Sequence, residues 1–255
     1  MPVFALIGGY LISAVTELGA VMRLFGQALR WSVQPPFRHE QLFIQLEFIG
    51  VASLSIILLT SFFTGAVMAL QSSYAFGLFD ANSMVGPAVA LALTRELGPV
   101  MTALMISGRC GSAMAAEIGT MRVTEQIDAL TTMAVNPVQY LVLPRMIAAV
   151  IMMPLLAVVF DFIGTVGAWI VSTFLLDISS TLFYEMVVSY VDIDDFSNGL
   201  VKAAFFGLII ALVSCYKGFN TTRGAKGVGI ATTESVVLSS VWVLVSDYFL
   251  TAILF

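Results

Sequence analysis

The chain has 255 residues, 59% hydrophobic and 11% charged, with a net charge of -5 and a mean hydropathy of +0.99. Soluble domains carry roughly a quarter charged residues, so this composition excludes a soluble enzyme or binding module and indicates a multi-pass membrane protein. About five or six spans of roughly 20 residues fill the length and leave no room for a separate soluble domain, and the clustered basic residues that nucleic-acid binding needs are missing.

The basic residues fall on alternate connections between apolar stretches. Arg23, Arg30 and Arg38 precede the first long apolar run, Arg122 and Arg145 flank the second connection, and Lys217, Arg223 and Lys226 sit in the fourth. The intervening connections carry Asp80 and then Asp177, Glu185, Asp192, Asp194 and Asp195, with no Lys or Arg in 39–94 or 146–201. This is the positive-inside pattern, and it sets the basic connections in the cytoplasm.

Residues 2–31 are apolar but broken by Gly8, Gly9, Glu17, Gly19, Arg23 and Arg30, and from Leu11 onward apolar residues recur at helical spacing. An amphipathic helix in the membrane interface explains this segment; a sixth crossing at 3–22 is the rival reading. No basic residue precedes Arg23, so the segment lacks the charged start of a signal peptide and is expected to be retained. Pro35-Pro36 ends it. Span one is expected near 44–70, with an outer turn at Gly77, Asp80 and Asn82. Span two, about 84–115, holds Arg95, Glu96 and Arg109. A cytoplasmic connection runs from Glu117 to Arg145, span three covers 146–176, and an acidic outer segment covers 177–198. Span four near 200–216, a Gly- and Thr-rich cytoplasmic loop at 217–234 and span five near 235–254 complete the chain. The fold class is therefore all-α: an interfacial N-terminal helix and five transmembrane helices in one domain, with the N-terminus inside and the C-terminus outside. No internal repeat is visible, and an odd span count argues against the inverted-repeat design of many secondary transporters.

Arg95 and Glu96 carry the sharpest chemistry. Intramembrane charges are costly and normally face a protein interior or a wet cavity. Adjacent helical positions point about 100° apart, so each needs a partner on a neighbouring helix or in a second copy. Gly98-Pro99 follows, and Pro99 removes the helical hydrogen bond to the Arg95 carbonyl, which predicts a kink at the charged level. The pair is either a buried ion pair joining helices or a polar element at a substrate cavity. Asp161 and Asp247 read as lone intramembrane carboxylates, proton sites or structural groups. Arg109 is expected to snorkel, and Gly108, Gly111, Ser112, Ala115 and Ala116 to form a smooth packing face. In the second connection, Val123, Ile127 and Leu130 recur at helical spacing among Arg122, Glu125, Gln126 and Asp128, until Asn136-Pro137. This amphipathic helix either folds onto its own bundle or docks in a partner's groove.

Several chemistries are excluded. No G-x-x-x-x-G-K-[ST] occurs, so the chain is not itself a P-loop ATPase, and Gly224, Gly227 and Gly229 read as turns. The single histidine, His39, cannot supply a triad or metal site in the membrane. Cys110 and Cys215 read as small buried side chains, without disulfide or metal-ligand spacing. Enzymatic readings are therefore disfavoured; five unsymmetrical spans suggest half of a larger assembly, and a self-contained proton-coupled carrier or channel using Asp161, Asp247 and Arg95/Glu96 is the alternative.

The stretch Leu93 to Val100 (LTRELGPV), Gly108 to Ser112 (GRCGS), Ala116 to Leu130 (AEIGTMRVTEQIDAL) and Asn136-Pro137 through Pro144-Arg145 resembles the MlaE/YrbE family, permease subunits of ABC transporters that work with MCE proteins on lipids. Gly224 to Thr233 (GAKGVGIATT) and Asp247 to Thr251 (DYFLT) are similar to that family's ending, so the likeness covers 40–255 in order. It implies a homodimeric permease in the bacterial inner membrane with a phospholipid cavity between the two copies. Two P-loop ATPase subunits would bind the ATP and Mg, the chain itself holding no cofactor or metal. An MCE-domain protein would stand on the periplasmic side, and the whole would maintain outer-membrane lipid asymmetry. The family's interfacial elbow helix falls on 1–39 and its coupling helix on 120–134. Arg95 and Glu96 match its charged pair, and Met68, Phe76, Phe79 and Leu97 are the implied acyl-chain contacts. Arg122, Glu125, Ile127, Asp128 and Leu130 are the implied ATPase-coupling residues.

Overall fold

The computed structural model describes residues 2–32, 34–35, 38–222 and 224–254, and for 2–11, 13 and 14 the backbone alone. Pro36 of the expected break and Arg223 of the fourth connection lie outside the described residues. Those described are helical, without a strand. Helix α1 (Pro2–Ser32) is followed by α2 (His39–Ile49), α3 (Leu54–Gly77), α4 (Val85–Ala92), α5 (Gly98–Ile106), α6 (Ser112–Val123), α7 (Gln126–Thr132), α8 (Leu143–Phe174), α9 (Ser180–Tyr190), α10 (Ile193–Phe219) and α11 (Gly224–Leu254).

Among the described residues, five stretches are long and apolar enough to cross a membrane: His39–Gly77, Asn82–Val123, Val138–Phe174, Ile193–Phe219 and Gly224–Leu254. The chain is a multi-pass, all-α membrane protein. Span three sits between spans one and four, and α10 packs in turn on α11 and on span two. Backbones meet closely where side chains are absent. A Cβ on Gly65 would overlap the Gly164 carbonyl, and one on Gly199 would overlap that of Thr94. Small residues let membrane helices approach to van der Waals contact, which drives their association where lipid removes the hydrophobic term.

Helix α1 is not among the five crossing stretches. Its Ala28 is buried while Ile12, Val15, Leu18, Met22 and Leu29 are exposed, the pattern of a helix resting on the bundle with apolar residues toward lipid.

Two expectations are corrected. The coupling helix does not run unbroken over 120–134. Span two continues to Val123, Glu125 takes the left-handed conformation at φ 60°, and a separate seven-residue helix runs over Gln126–Thr132. A non-glycine residue at positive φ ends one helix and re-aims the next. The loop expected at 217–234 is largely helical, because α10 reaches Phe219 and α11 begins at Gly224. Gly224, at φ +62°, is a turn as expected, but Gly227 and Gly229 lie inside α11. Gly227 is there for proximity, since a Cβ would strike the Thr222 carbonyl. Seen end-on, the bundle has an acidic end, with Asp80, Asp177 and Asp192, and a basic end, with Arg122, Arg145 and Lys217.

Candidate functional site

Span two is not a regular α-helix. Residues Leu93–Leu97 form one π-helical turn in which Gly98 N–H bonds to the Leu93 carbonyl. Pro99 follows and has no N–H, so it cannot make the usual α-helical hydrogen bond to the Arg95 carbonyl. Lys202 Nζ of span four lies 3.0 Å from that carbonyl. Single π turns within α-helices recur at functional sites, and here the turn fixes where two charged side chains emerge.

Arg95 and Glu96 diverge and find separate partners. Arg95 Nη2 lies 2.6 Å from Asp195 Oδ1. Asp195 Oδ2 accepts the Asp192 N–H at 3.2 Å in the capping box of α10, so one carboxylate both caps a helix and holds Arg95. Glu96 Oε2 lies 2.7 Å from Lys202 Nζ, which is also 2.7 Å from Asp247 Oδ1 on α11. The Thr251 hydroxyl sits 3.0 Å from both Lys202 Nζ and Glu96 Oε1. The Lys202 side chain is fully buried, whereas those of Arg95 and Glu96 keep 43% and 38% of their surface. A buried ammonium in a membrane protein is held only by such pairing. The cluster binds spans two, four and five and holds three carboxylates to two cations, with Arg95 and Glu96 as its open side.

Lys202 is the residue that sequence reasoning missed. It stands close to the start of the apolar run of span four and passes for a flanking charge. The helix begins instead at Ile193, which puts Lys202 about two and a half turns inside, roughly 13 Å at 1.5 Å per residue. The signal was there: a lysine followed by an unbroken apolar run, with Asp247 at a comparable distance from the end of span five. Depth is corrected with it. Arg95 is central in the sequence of span two, but Asp195 in the first turn of α10 holds it near the acidic end of the bundle rather than at mid-membrane. Asp247 is likewise no lone carboxylate.

Asp161 is buried on α8 against the π turn, its Oδ1 without a hydrogen-bond partner, and a Cβ on Gly98 would collide with that oxygen. Arg109 does not snorkel. It lies in a second π turn, Ser107–Gly111, and Nη1 donates to the Phe48 carbonyl at 3.2 Å and to Ser53 Oγ at 2.6 Å. Those acceptors flank the break between α2 and α3, so Arg109 serves one carbonyl and one hydroxyl at that break. Of the smooth face, Gly111 and Ala115 are buried within the chain and Gly108 is exposed. Both cysteines are free and buried.

The other implied contacts divide. Leu97 is half-buried beside the cluster on the π turn; Met68 and Phe76 are half-buried against the core from α3, and Phe79 is exposed in the following turn. The structure brings Arg95, Glu96 and Leu97 together and leaves Met68, Phe76 and Phe79 on a separate helix and turn. In the coupling element, Ile127 and Leu130 pack inward, while Arg122 and Asp128 form an exposed ion pair at 2.7 Å beside exposed Glu125. The outward face of α7 is thus charged, with exposed Met133 at its end.

The model of the family described as Permease MlaE matches residues 42–253. The chain belongs to the MlaE permease family. Its relatives include a probable ABC transporter permease of Rickettsia felis, 45% identical over 98% of this chain and 96% of that protein. A probable ABC transporter permease of Synechocystis is 41% identical over 94% and 91%. The intermembrane phospholipid transport system permease MlaE of Haemophilus influenzae is 41% identical over 83% and 81%. The matched region of this MlaE-family permease contains every residue of the Lys202 cluster, so the ion-pair site belongs to the part of the chain the family shares.

Proposed function

We propose that the chain is the membrane-spanning subunit of an ATP-driven ABC transporter that moves phospholipid between the bacterial inner membrane and an MCE-protein conduit. Two copies enclose the lipid cavity, with Arg95, Glu96 and Leu97 on its wall and Met68, Phe76 and Phe79 supplying acyl-chain contacts. Two P-loop ATPase subunits, which bind ATP and Mg, dock on the exposed face of α7 through Arg122, Glu125 and Asp128. Ile127 and Leu130 anchor that helix to its own bundle and pass the motion inward. The basic end and the N-terminus face the cytoplasm, and the acidic end and the C-terminus face the periplasm, where the MCE protein stands. Maintenance of outer-membrane lipid asymmetry is the corresponding role.

The observation that carries this reading is the half-open ion-pair cluster. Glu96 and Arg95 are half-exposed near the acidic end of an apolar bundle, while Lys202 behind them is fully buried. A purely structural lock would bury both sides. A polar rim on an apolar wall suits an amphipathic cargo whose headgroup needs polar contacts while its tails do not.

The test is reconstitution of the complex in liposomes and measurement of ATP-dependent transfer of a fluorescent phospholipid. Glu96→Ala is expected to leave assembly intact, because Lys202 keeps Asp247, and to reduce transfer at least tenfold. Full transfer by this variant, or transfer by the chain alone without ATP, refutes the proposal.

A further inference from the structure

Two adjoining cavities of opposite character lie where α1 rests on spans four and five, the apolar one reaching Phe205 and Ser246 within a turn of Lys202 and Asp247 but lined by none of the residues of that cluster. One, of about 340 Å³, is apolar and lined by Phe25 of α1, Leu208 and Leu212 of α10, and Leu238 and Trp242 of α11. The other, of about 260 Å³, is polar and lined by Lys217, Asn220, Thr222 and Glu234. Glu17 of α1 belongs to the walls of both. Its carboxylate lies 2.5 Å from Lys217 Nζ, which also pairs with Glu234 at 2.9 Å. This one lysine therefore ties α1, α10 and α11 together.

An apolar cavity of this size neither stays empty without losing packing contacts nor holds water, which needs polar partners. Its volume lies in the range of sites for small molecules, roughly 300–1,000 Å³. A partner helix, about 10 Å across, does not enter it. A single flexible acyl chain does, and the bilayer in which α1 lies supplies one. The polar cavity next door then receives the headgroup. Its charged lining is two carboxylates and one ammonium, which favours a headgroup bearing its own ammonium over a purely anionic one. Lys217, Asn220 and Thr222 offer donors to the phosphate oxygens.

We infer that α1 and spans four and five enclose a binding site for one zwitterionic aminophospholipid, with an acyl chain between α1, α10 and α11 and the headgroup at Lys217, Glu17 and Glu234. This lipid is a resident of the fold, held beneath the N-terminal helix and distinct from cargo. It stands whether or not the transport reading does.

The experiment uses the full chain, in the complex it forms in its native membrane, transferred to nanodiscs with trace phosphatidylethanolamine carrying a mid-chain diazirine. After illumination, crosslinked peptides are mapped by mass spectrometry. Adducts on 18–25, 205–213 and 238–246 are expected to exceed those on bilayer-exposed Ile151 and Phe162 at least fivefold. Leu208→Trp, which fills the cavity from a half-buried position, is expected to abolish that excess while adducts elsewhere persist. Unlabelled phosphatidylethanolamine is expected to compete at least fivefold better than phosphatidylglycerol. Adducts at the level of Ile151 and Phe162, or an excess untouched by Leu208→Trp, overturn the site, and equal competition overturns its headgroup. Absence of ATP-dependent lipid transfer by the parent complex in liposomes, with the excess retained, would instead refute the transport proposal alone.

Discussion

Removing Lys202 tests the central physical claim, that one buried ammonium holds spans two, four and five together. In Lys202→Met the chain keeps nearly the same volume and loses the charge. Glu96 and Asp247, each 2.7 Å from Nζ in the native protein, are left facing one another without a cation, and the Arg95 carbonyl loses its donor. Breaking a buried ion pair by deleting one partner costs about 3–5 kcal/mol. The Asp247 and Glu96 side chains retain 20% and 38% of their surface, so part of the cost is relieved by solvation, and the lower end of that range applies. About 3 kcal/mol in a chain of this length lowers Tm by roughly 6–12 °C.

The molecule supplies its own reporter. Cys110 and Cys215 are free and buried, so a thiol-reactive fluorophore reads unfolding in detergent directly. Lys202→Met is expected to melt roughly 6–12 °C below the parent. Neutralising the carboxylates as well, in Lys202→Met/Glu96→Gln/Asp247→Asn, is expected to recover at least half of the loss, because apolar or neutral replacement of a whole buried ionic group is often nearly neutral. A single variant that melts with the parent, or a triple variant no better than the single, refutes the reasoning.

Pro99→Ala restores an N–H that competes with Lys202 for the Arg95 carbonyl; Tm is expected to hold or rise slightly, while lipid transfer falls, and a variant with parental transfer would show that the π turn is not needed. Gly65→Val places a branched side chain where the Gly164 backbone already sits; over-packing of this kind costs about 1–3 kcal/mol or more, read as a lower Tm or lost expression, and an unchanged Tm would contradict the close contact of spans one and three. Asp128→Ala removes an exposed ion pair of about 0–1 kcal/mol, so stability is expected to stay put, while co-purification of the ATPase subunit drops; equal recovery of that subunit would take Asp128 out of the docking face.

The spans and their count were legible because apolar length and basic alternation are properties of the chain itself. Arg95 and Glu96 were legible for the same reason, as was their need for separate partners, which follows from helical geometry alone. The partners were not. Asp195, Lys202, Asp247 and Thr251 come from spans distant in sequence, and only packing decides which level of one helix meets which level of another. Helix ends were the other weak point. Nothing in the run from Thr120 to Ala134 announces that Glu125 adopts a left-handed conformation, and the glycines after Arg223 have turn composition yet continue a helix, because Gly227 is needed beside the Thr222 carbonyl. Where glycine serves proximity rather than conformation, its local signal points the wrong way.

The π turn, Pro99 and Lys202 make one device. A π turn inserts one residue into a helix and advances everything beyond it by about 100° of rotation. Here it decides that Arg95 faces the first turn of span four while Glu96 faces a lysine two turns deeper. Proline after the turn keeps the segment from relaxing into a regular α-helix, because it cannot supply the i+4 N–H to the Arg95 carbonyl, which accepts a hydrogen bond from Lys202. Any shift of span two along span four must therefore break an ion pair and a backbone hydrogen bond together.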